Sequence, residues 1–342
     1  MNEMVVKTRH KVFLSNPVPM FCSKIDNSAI IISSRGDELT IHIKTRKNED
    51  NSKHLFFDIY SMLYICLGAF PKIESMMFNE RRLDIDHLAK KYYTRESLFR
   101  NDLRIANICG QTINQAIIDK YRIKQQEPIS SLQYLDSAGY DSIVADHRIT
   151  LLLHIIDGIC DAQNTVLTAI RAEMIKKYKL NATQQNNLKP DNLGKYICKA
   201  YMVTNECLFY YHRKFNCEIL KLMHISQYEF LCMLSDTRNW NSHFLNKKKP
   251  NRIKDGTKIV IFFEIVHYMI RIKIAKDIGI KPDEVSIKEY YYTVHDWILD
   301  ILYNRDDALK SKIYLDNKRR KEFQKAIKSF PICRTIDFQQ KG

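Results

Sequence analysis

"SDTRNWNSHF", residues 235–244, has no glycine and no apolar run, yet it gathers Arg238, Asn239 and His243 within a few positions. It follows the apolar "YEFLCML" (228–234) and precedes the basic "NKKKPNR" (246–252). Just upstream, in "SQYE", Ser226 is followed three residues later by Glu229, the capping-box pattern that starts a helix. A helix begun there reaches Arg238 about three turns later. The stretch therefore reads as the polar, cationic end of a helix, and the fold turns on what surrounds it.

Working outward, the chain is helical on both sides. "ITLLLHIIDGICDAQNTVLTAIRAEMIKKY" reads as one long helix, or two meeting near Gly158, and "NATQQNNLKPDN" as a polar connection. "LGKYICKAYMVTNECLFYYHRKFNCEILKL" reads as a second long helix. After the lysines, "TKIVIFFEIVHYMIRIKIAKDIG" is apolar on almost every side except for Glu264, His267 and Arg271. Such a helix must be covered on most sides, by its own bundle alone or together with a second subunit. Towards the N-terminus, "SAIIISS" and "ELTIHIKT" flank "RGD" as a hairpin turning at Gly36, in what reads as the one β part, the first fifty residues. "RKNEDNSK" (46–53) reads as a polar loop. "HLFFDIYSMLYICLGAF" reads as a helix stopped at Gly68 and Pro71. The polar segment 124–142, with Pro128 and Gly139, is the best boundary. The expected fold class is mainly α, with an N-terminal α+β region at 1–140, a helical bundle at 146–280 and a C-terminal helical extension at 281–342 ending in a basic tail.

Composition limits the function. Lysine plus arginine exceed aspartate plus glutamate by 54 − 39 = 15, which favours a polyanionic partner, nucleic acid first. Nine cysteines without a CxxC pair, mostly among apolar neighbours, read as reduced, buried thiols. No segment reads as a signal peptide or a membrane span, so the expected location is cytoplasmic with no membrane partner. There is no P-loop and no GxGxxG. "DIDH" (84–87) and "HD" (295–296) find no second cluster of matching spacing, so no cofactor and no metal are expected. Tyr290, Tyr291 and Tyr292 are consecutive, so at least one belongs to the core, and His267 reads as an interior histidine.

With 19 Arg and 11 His in the chain, chance supplies roughly 0.6 pairs of Arg and His at the spacing of 238 and 243, and Arg82 with His87 is a second such pair. That second pair encloses Asp84 and Asp86, which would repel a phosphate, whereas Arg238 is followed directly by Asn239 and by neutral residues. Requiring the asparagine lowers the chance expectation to roughly one in twenty-five. The chemistry suits RNA, which carries its own nucleophile in the 2′-hydroxyl. His243 can act as base near neutral pH, Arg238 can hold two phosphate oxygens and the added charge of the transition state, and Asn239 can fix the geometry. The products would be a 2′,3′-cyclic phosphate and a 5′-hydroxyl. On an unbroken helix five residues turn by roughly 140°, so either the helix ends between Arg238 and His243 or the site is completed by a second chain.

"TRNWNSHF" resembles the R-polar-x-x-x-H motif of the HEPN superfamily, compact four- or five-helix domains found in many RNases, and the order of helices over 146–280 is similar too. The layout of a β-containing region followed by such a bundle is similar to ApeA-like anti-phage proteins. The family often has Gly after the motif His, where this chain has Phe244. The resemblance implies a metal-independent endoribonuclease of the defence or toxin type, with Arg238, Asn239 and His243 as catalytic residues and Asp157 on the first helix as a supporting acid. It also implies a homodimer, which the apolar helix after residue 256 could support, and structured RNA such as tRNA as target. Lys247, Lys248 and Lys249 would line the RNA groove, and residues 1–140 would be a sensor or regulatory region. The competing expectation is a catalytically silent helical module of the same type that binds RNA, a nucleotide or a protein.

Overall fold

In the computed structural model, which describes residues 1–9, 21–85, 104–106, 113–126, 131–138, 145–159, 163–189, 192–243, 253 and 256–303, the alternating segments near the N-terminus form one antiparallel sheet. Strands β1 (Asn2–Arg9), β2 (Phe21–Ile25), β3 (Ser28–Arg35), β4 (Glu38–Thr45), β5 (Lys72–Phe78) and β6 (Arg81–Arg82) stand in the order β2-β3-β4-β1-β5-β6. Met4, Val6, Ile30, Ile32, Leu39, Ile41 and Ile43 are buried at alternate positions along their strands. The β3–β4 hairpin turns at Gly36 as expected, with φ +62°. Two further hairpins turn on Asp26–Asn27 and Asn79–Glu80, all four with positive φ, the hand that matches strand twist. The β part thus extends past the first fifty residues, to Arg82.

Helix α1 (Glu49–Leu67) starts inside the segment read as a loop. The Asn48 side chain accepts from the Asn51 N–H at 3.0 Å, so only 46–48 remain outside the helix. It stops at Gly68, whose φ of +88° suits glycine. Twelve of its nineteen residues are buried, because it lies against β4 on one side and against the helices on the other.

The remaining described helices are α2 (Gln115–Gln125), α3 (Ser131–Ala138), α4 (Ala145–Ile159), α5 (Asn164–Tyr178), α6 (Ala182–Asn186), α7 (Asn192–Thr204), α8 (Tyr210–Phe215), α9 (Ile219–Leu222), α10 (Gln227–His243), α11 (Gly256–Ile278) and α12 (Glu284–Tyr303). Helix α4 ends before α5 begins, so the stretch around Gly158 is two helices. Helix α7 continues through a π turn (Asn205–Phe209) into α8 and stops at Asn216, at φ +50°, short of the expected end at Leu222. Helices α4, α7, α10 and α11 form the bundle: α4 packs on the other three and α7 on α10 and α11. The segment 124–142, read as a boundary, contains α3, which packs on α4. The fold is mainly α with an N-terminal α+β region.

Helix α11 is covered within its own chain. Among the described residues its apolar surface is covered by α1, α2, α4, α7 and the π turn of its own chain. Its polar stripe is used internally. His267 Nε2 lies 2.7 Å from the Tyr64 hydroxyl of α1. The Arg271 guanidinium, fully buried, donates to the carbonyls of Ile65 (2.9 Å) and Cys66 (3.1 Å) at the end of α1. The sheet, α1 and the bundle therefore share one core. No helix among the described residues is long and apolar enough to cross a membrane.

Two buried histidines give the fold an acid limit. Burial holds the His212 imidazole down to about 3, and burial with Arg271 nearby holds His267 well below its ordinary value. Between about 6.5 and 3 the unfolded chain thus binds a proton that the folded ring refuses, so stability falls as the pH is lowered through that window. The His212 ring should remove roughly 2 kcal/mol between pH 7 and pH 5, and His267 acts in the same direction. Urea midpoints at the two pH values check this. The His212 Nε2 atom is buried without a hydrogen-bond partner among the described residues. His212→Phe should therefore reduce the pH slope and leave stability at pH 7 unchanged or higher; an unchanged slope would assign it to other groups.

Candidate functional site

Helix α10 starts as the sequence suggests, and of the two alternatives for its finish the unbroken helix is the one found. Ser226 and Glu229 form the reciprocal cap: Ser226 N–H donates to Glu229 Oε2 (2.8 Å), and Glu229 N–H to Ser226 Oγ (3.2 Å). The helix then runs unbroken to His243. It does not end between Arg238 and His243, so the two positions face directions roughly 140° apart. The Thr237 hydroxyl accepts the Ile253 N–H at 3.2 Å, which ties the chain back to α10 after the motif. The side chain of His243, and Lys247, Lys248 and Lys249, lie outside the described residues.

Three helices hold Arg238. Its Nη2 donates to Asp157 Oδ2 on α4 at 2.5 Å, and its Nη1 to Asn239 Oδ1 at 2.9 Å. Asn239 is buried and anchored in turn, donating from Nδ2 to the Ser235 carbonyl at 2.8 Å. The guanidinium carbon sits 5.3 Å from the ring centre of Tyr196 on α7. Four turns of α4 packed against α10 bring Asp157 to Arg238 across 81 residues of sequence. The structure thus unites Arg238, Asn239 and Asp157.

Sequence reasoning missed two neighbours, Tyr196 and Lys199. The Tyr196 hydroxyl donates to the Leu153 carbonyl at 3.0 Å, and burial beside Asp157 holds its ionisation well above the ordinary tyrosine value, so it stays neutral. Lys199 Nζ donates to the Asp157 carbonyl at 2.8 Å, bringing a second cation to the end of α4. Their spacing of three places both on one side of α7, but nothing in their local sequence marks them among so many tyrosines and lysines.

Arg238 keeps 19% of its side chain open to solvent and Asp157 31%. The pair is therefore neither a solvated surface bridge nor a sealed one. An arriving phosphate would meet a guanidinium already aimed by Asn239 and would compete with Asp157 for it. Elsewhere, Tyr290 and Tyr291 are buried, Tyr290 stacked on Tyr268, so neither presents a face to a base. His267 is an interior histidine. Among the described residues no three His, Cys, Asp or Glu side chains meet as metal ligands. His295 is buried, while Asp86, His87 and the basic tail 318–328 lie outside the described residues. Cys66, Cys198, Cys207 and Cys217 are buried free thiols, with Cys198 pushed up to about 11 by burial.

The chain matches no protein-family model, and neither a curated protein nor a solved structure is significantly similar to it.

Proposed function

We propose that the chain is a metal-independent endoribonuclease of the HEPN type, in which Arg238 stabilises the charge of the scissile phosphate, His243 takes the 2′-hydroxyl proton and Asn239 fixes the arginine. The observation that carries this reading is the fixed Arg238 guanidinium, oriented by Asn239 at 2.9 Å and Asp157 at 2.5 Å at the end of the helix that also bears His243. Preorganised donors of this kind stabilise a transition state without reorganising during the reaction. The basic excess of 15 charges supports an RNA substrate. Resemblance supports structured RNA such as tRNA as the target, a defence role, a cytoplasmic setting and a regulatory part for residues 1–140.

One observation favours the second reading, a silent module that binds RNA or a protein: Arg238 already has a carboxylate, and a satisfied ion pair between α10 and α4 is a structural device in many bundles. Asp157→Asn separates the two. In the nuclease it leaves the substrate KM near the wild-type value and lowers kcat by about tenfold to a hundredfold, because the arginine loses its aim. In the silent module it changes thermal stability alone. The parent experiment is incubation with total RNA in EDTA, with the ends mapped. Cyclic phosphates made by wild type and lost in Arg238→Ala support the nuclease; cleavage that survives in Arg238→Ala and His243→Ala assigns it elsewhere.

A further inference from the structure

On the opposite flank of α7 from Tyr196 lies a cavity of about 310 Å³, half open to solvent. Helix α5 supplies Asn164, Leu167, Thr168 and Arg171, and α7 supplies Gly194, Lys195 and Cys198; Leu188 completes the wall. Gly194 is what lets the wall close. A Cβ there would run into the backbone of Leu188 and Lys189, so only glycine allows that strand of chain to lie against α7.

The lining divides by chemistry. Leu167, Leu188 and Cys198 are buried and apolar, and the thiol stays protonated. Arg171 and Lys195 are both cationic, and neither has a carboxylate partner among the described residues. Arg171 gives one N–H to the Gln185 carbonyl at 3.4 Å, and its Nε is buried with no hydrogen-bond partner among the described residues. A buried guanidinium N–H without an acceptor costs free energy that a bound anion would recover. Helix α5 begins at this cavity, and its Gln163 cap makes no side-chain hydrogen bond among the described residues, so the positive end of the helix adds to the two cations. The Thr168 hydroxyl donates to the Asn164 carbonyl at 2.9 Å, which leaves its oxygen as an acceptor for a ligand hydroxyl.

From this geometry we infer that the α5–α7 cavity is a binding site for a small organic phosphomonoester, its phosphoryl group between Arg171 and Lys195 and its body against Leu167 and Leu188. Two cations match a phosphoryl dianion, the apolar wall calls for a body beyond the phosphate, and the volume is at the lower end of small-molecule pockets. The site is separate from Arg238, and its occupancy does not depend on the nuclease reading.

Calorimetric titration of the full chain with AMP, glycerol 3-phosphate and inorganic phosphate tests it. One AMP or one glycerol 3-phosphate per chain should bind at least about tenfold more tightly than inorganic phosphate, with Arg171→Gln and Lys195→Gln each weakening the bound ester by about tenfold or more. Leu188→Asn should weaken the ester and leave inorganic phosphate unchanged. Whichever of the two esters binds identifies the body. Lys195→Gln guards against the loss of folding that Arg171→Gln could cause, and Lys288→Gln, on α12, is the charge control. The proposal is overturned if neither ester binds at about 1 mM, or if binding survives both cavity substitutions. It is equally overturned if inorganic phosphate binds as tightly as the esters, or if a single-stranded RNA binds through Arg171 and Lys195 while the esters do not.

Discussion

Replacing Arg271 with alanine is expected to cost about 4 kcal/mol of folding stability, a large part of the ordinary total. The guanidinium is fully buried and donates to the Ile65 and Cys66 carbonyls at 2.9 and 3.1 Å. It sits at the negative end of a nineteen-residue helix and over the Tyr268 ring at 5.6 Å. Burial pulls its ionisation down, while the neighbouring tyrosines and Cys66 act the other way. Alanine would leave the Ile65 carbonyl buried without this donor, weaken the binding of the Cys66 carbonyl, and open a cavity between α1 and α11. Lysine, a point charge on a flexible stem, cannot bridge both carbonyls and should recover less than half of the loss. Gly68 offers an independent check, since a Cβ at 68 would run into the same guanidinium and would need φ near +88°. Gly68→Ala should therefore destabilise the wild type more than it destabilises Arg271→Ala, and that coupling is read from urea unfolding of the four proteins. Additive losses would show that the two residues do not meet.

The same contact bears on what residues 1–140 do. Because α1 covers α11 and is capped by its Arg271, deleting that region would strip the bundle of part of its core, and lost folding would be mistaken for lost regulation. Regulation is better probed by substitutions on the exposed side of the sheet.

Legibility differed between elements for physical reasons. Helix α1 was readable because apolar residues at helical spacing end in a glycine, and the start of α10 because a capping box is a local pattern. Strand β5 was not. Its register against β1 shifts between Lys7 and Thr8, so Ile73 and Met76 are both buried, and the period of two is lost. The turns at Asp26–Asn27 and Asn79–Glu80 lack the glycine that makes a hairpin visible. The apolar girth of α11 said that it must be covered, but sequence cannot say by which surface, and its own chain covers it. At the site, Asp157 was nominated by resemblance and is found on Arg238. Tyr196 and Lys199 became visible only when α7 packed against α4 and α10.

Mixing two inactive proteins should restore cleavage. Helix α10 is unbroken from Arg238 to His243, so one chain aims the two positions roughly 140° apart, and a single phosphate is best served by Arg238 of one chain and His243 of another. Since α11 is covered, the contact between copies would lie at the rim of the site, where Asp157 keeps 31% of its side chain open. Arg238→Ala and His243→Ala should each lose about a thousandfold or more of the cleavage rate. After subunit exchange about half of the dimers are mixed, and one of the two clefts in each mixed dimer holds both residues, so about a quarter of the wild-type rate should return. Recovery is measured as initial rate against mixing ratio, with dimerisation followed by sedimentation. If the parents dimerise and exchange yet nothing returns, each cleft takes both residues from one chain, and the end of α10 must rearrange when RNA binds. If the wild type cleaves RNA as a monomer, the two-chain site is wrong.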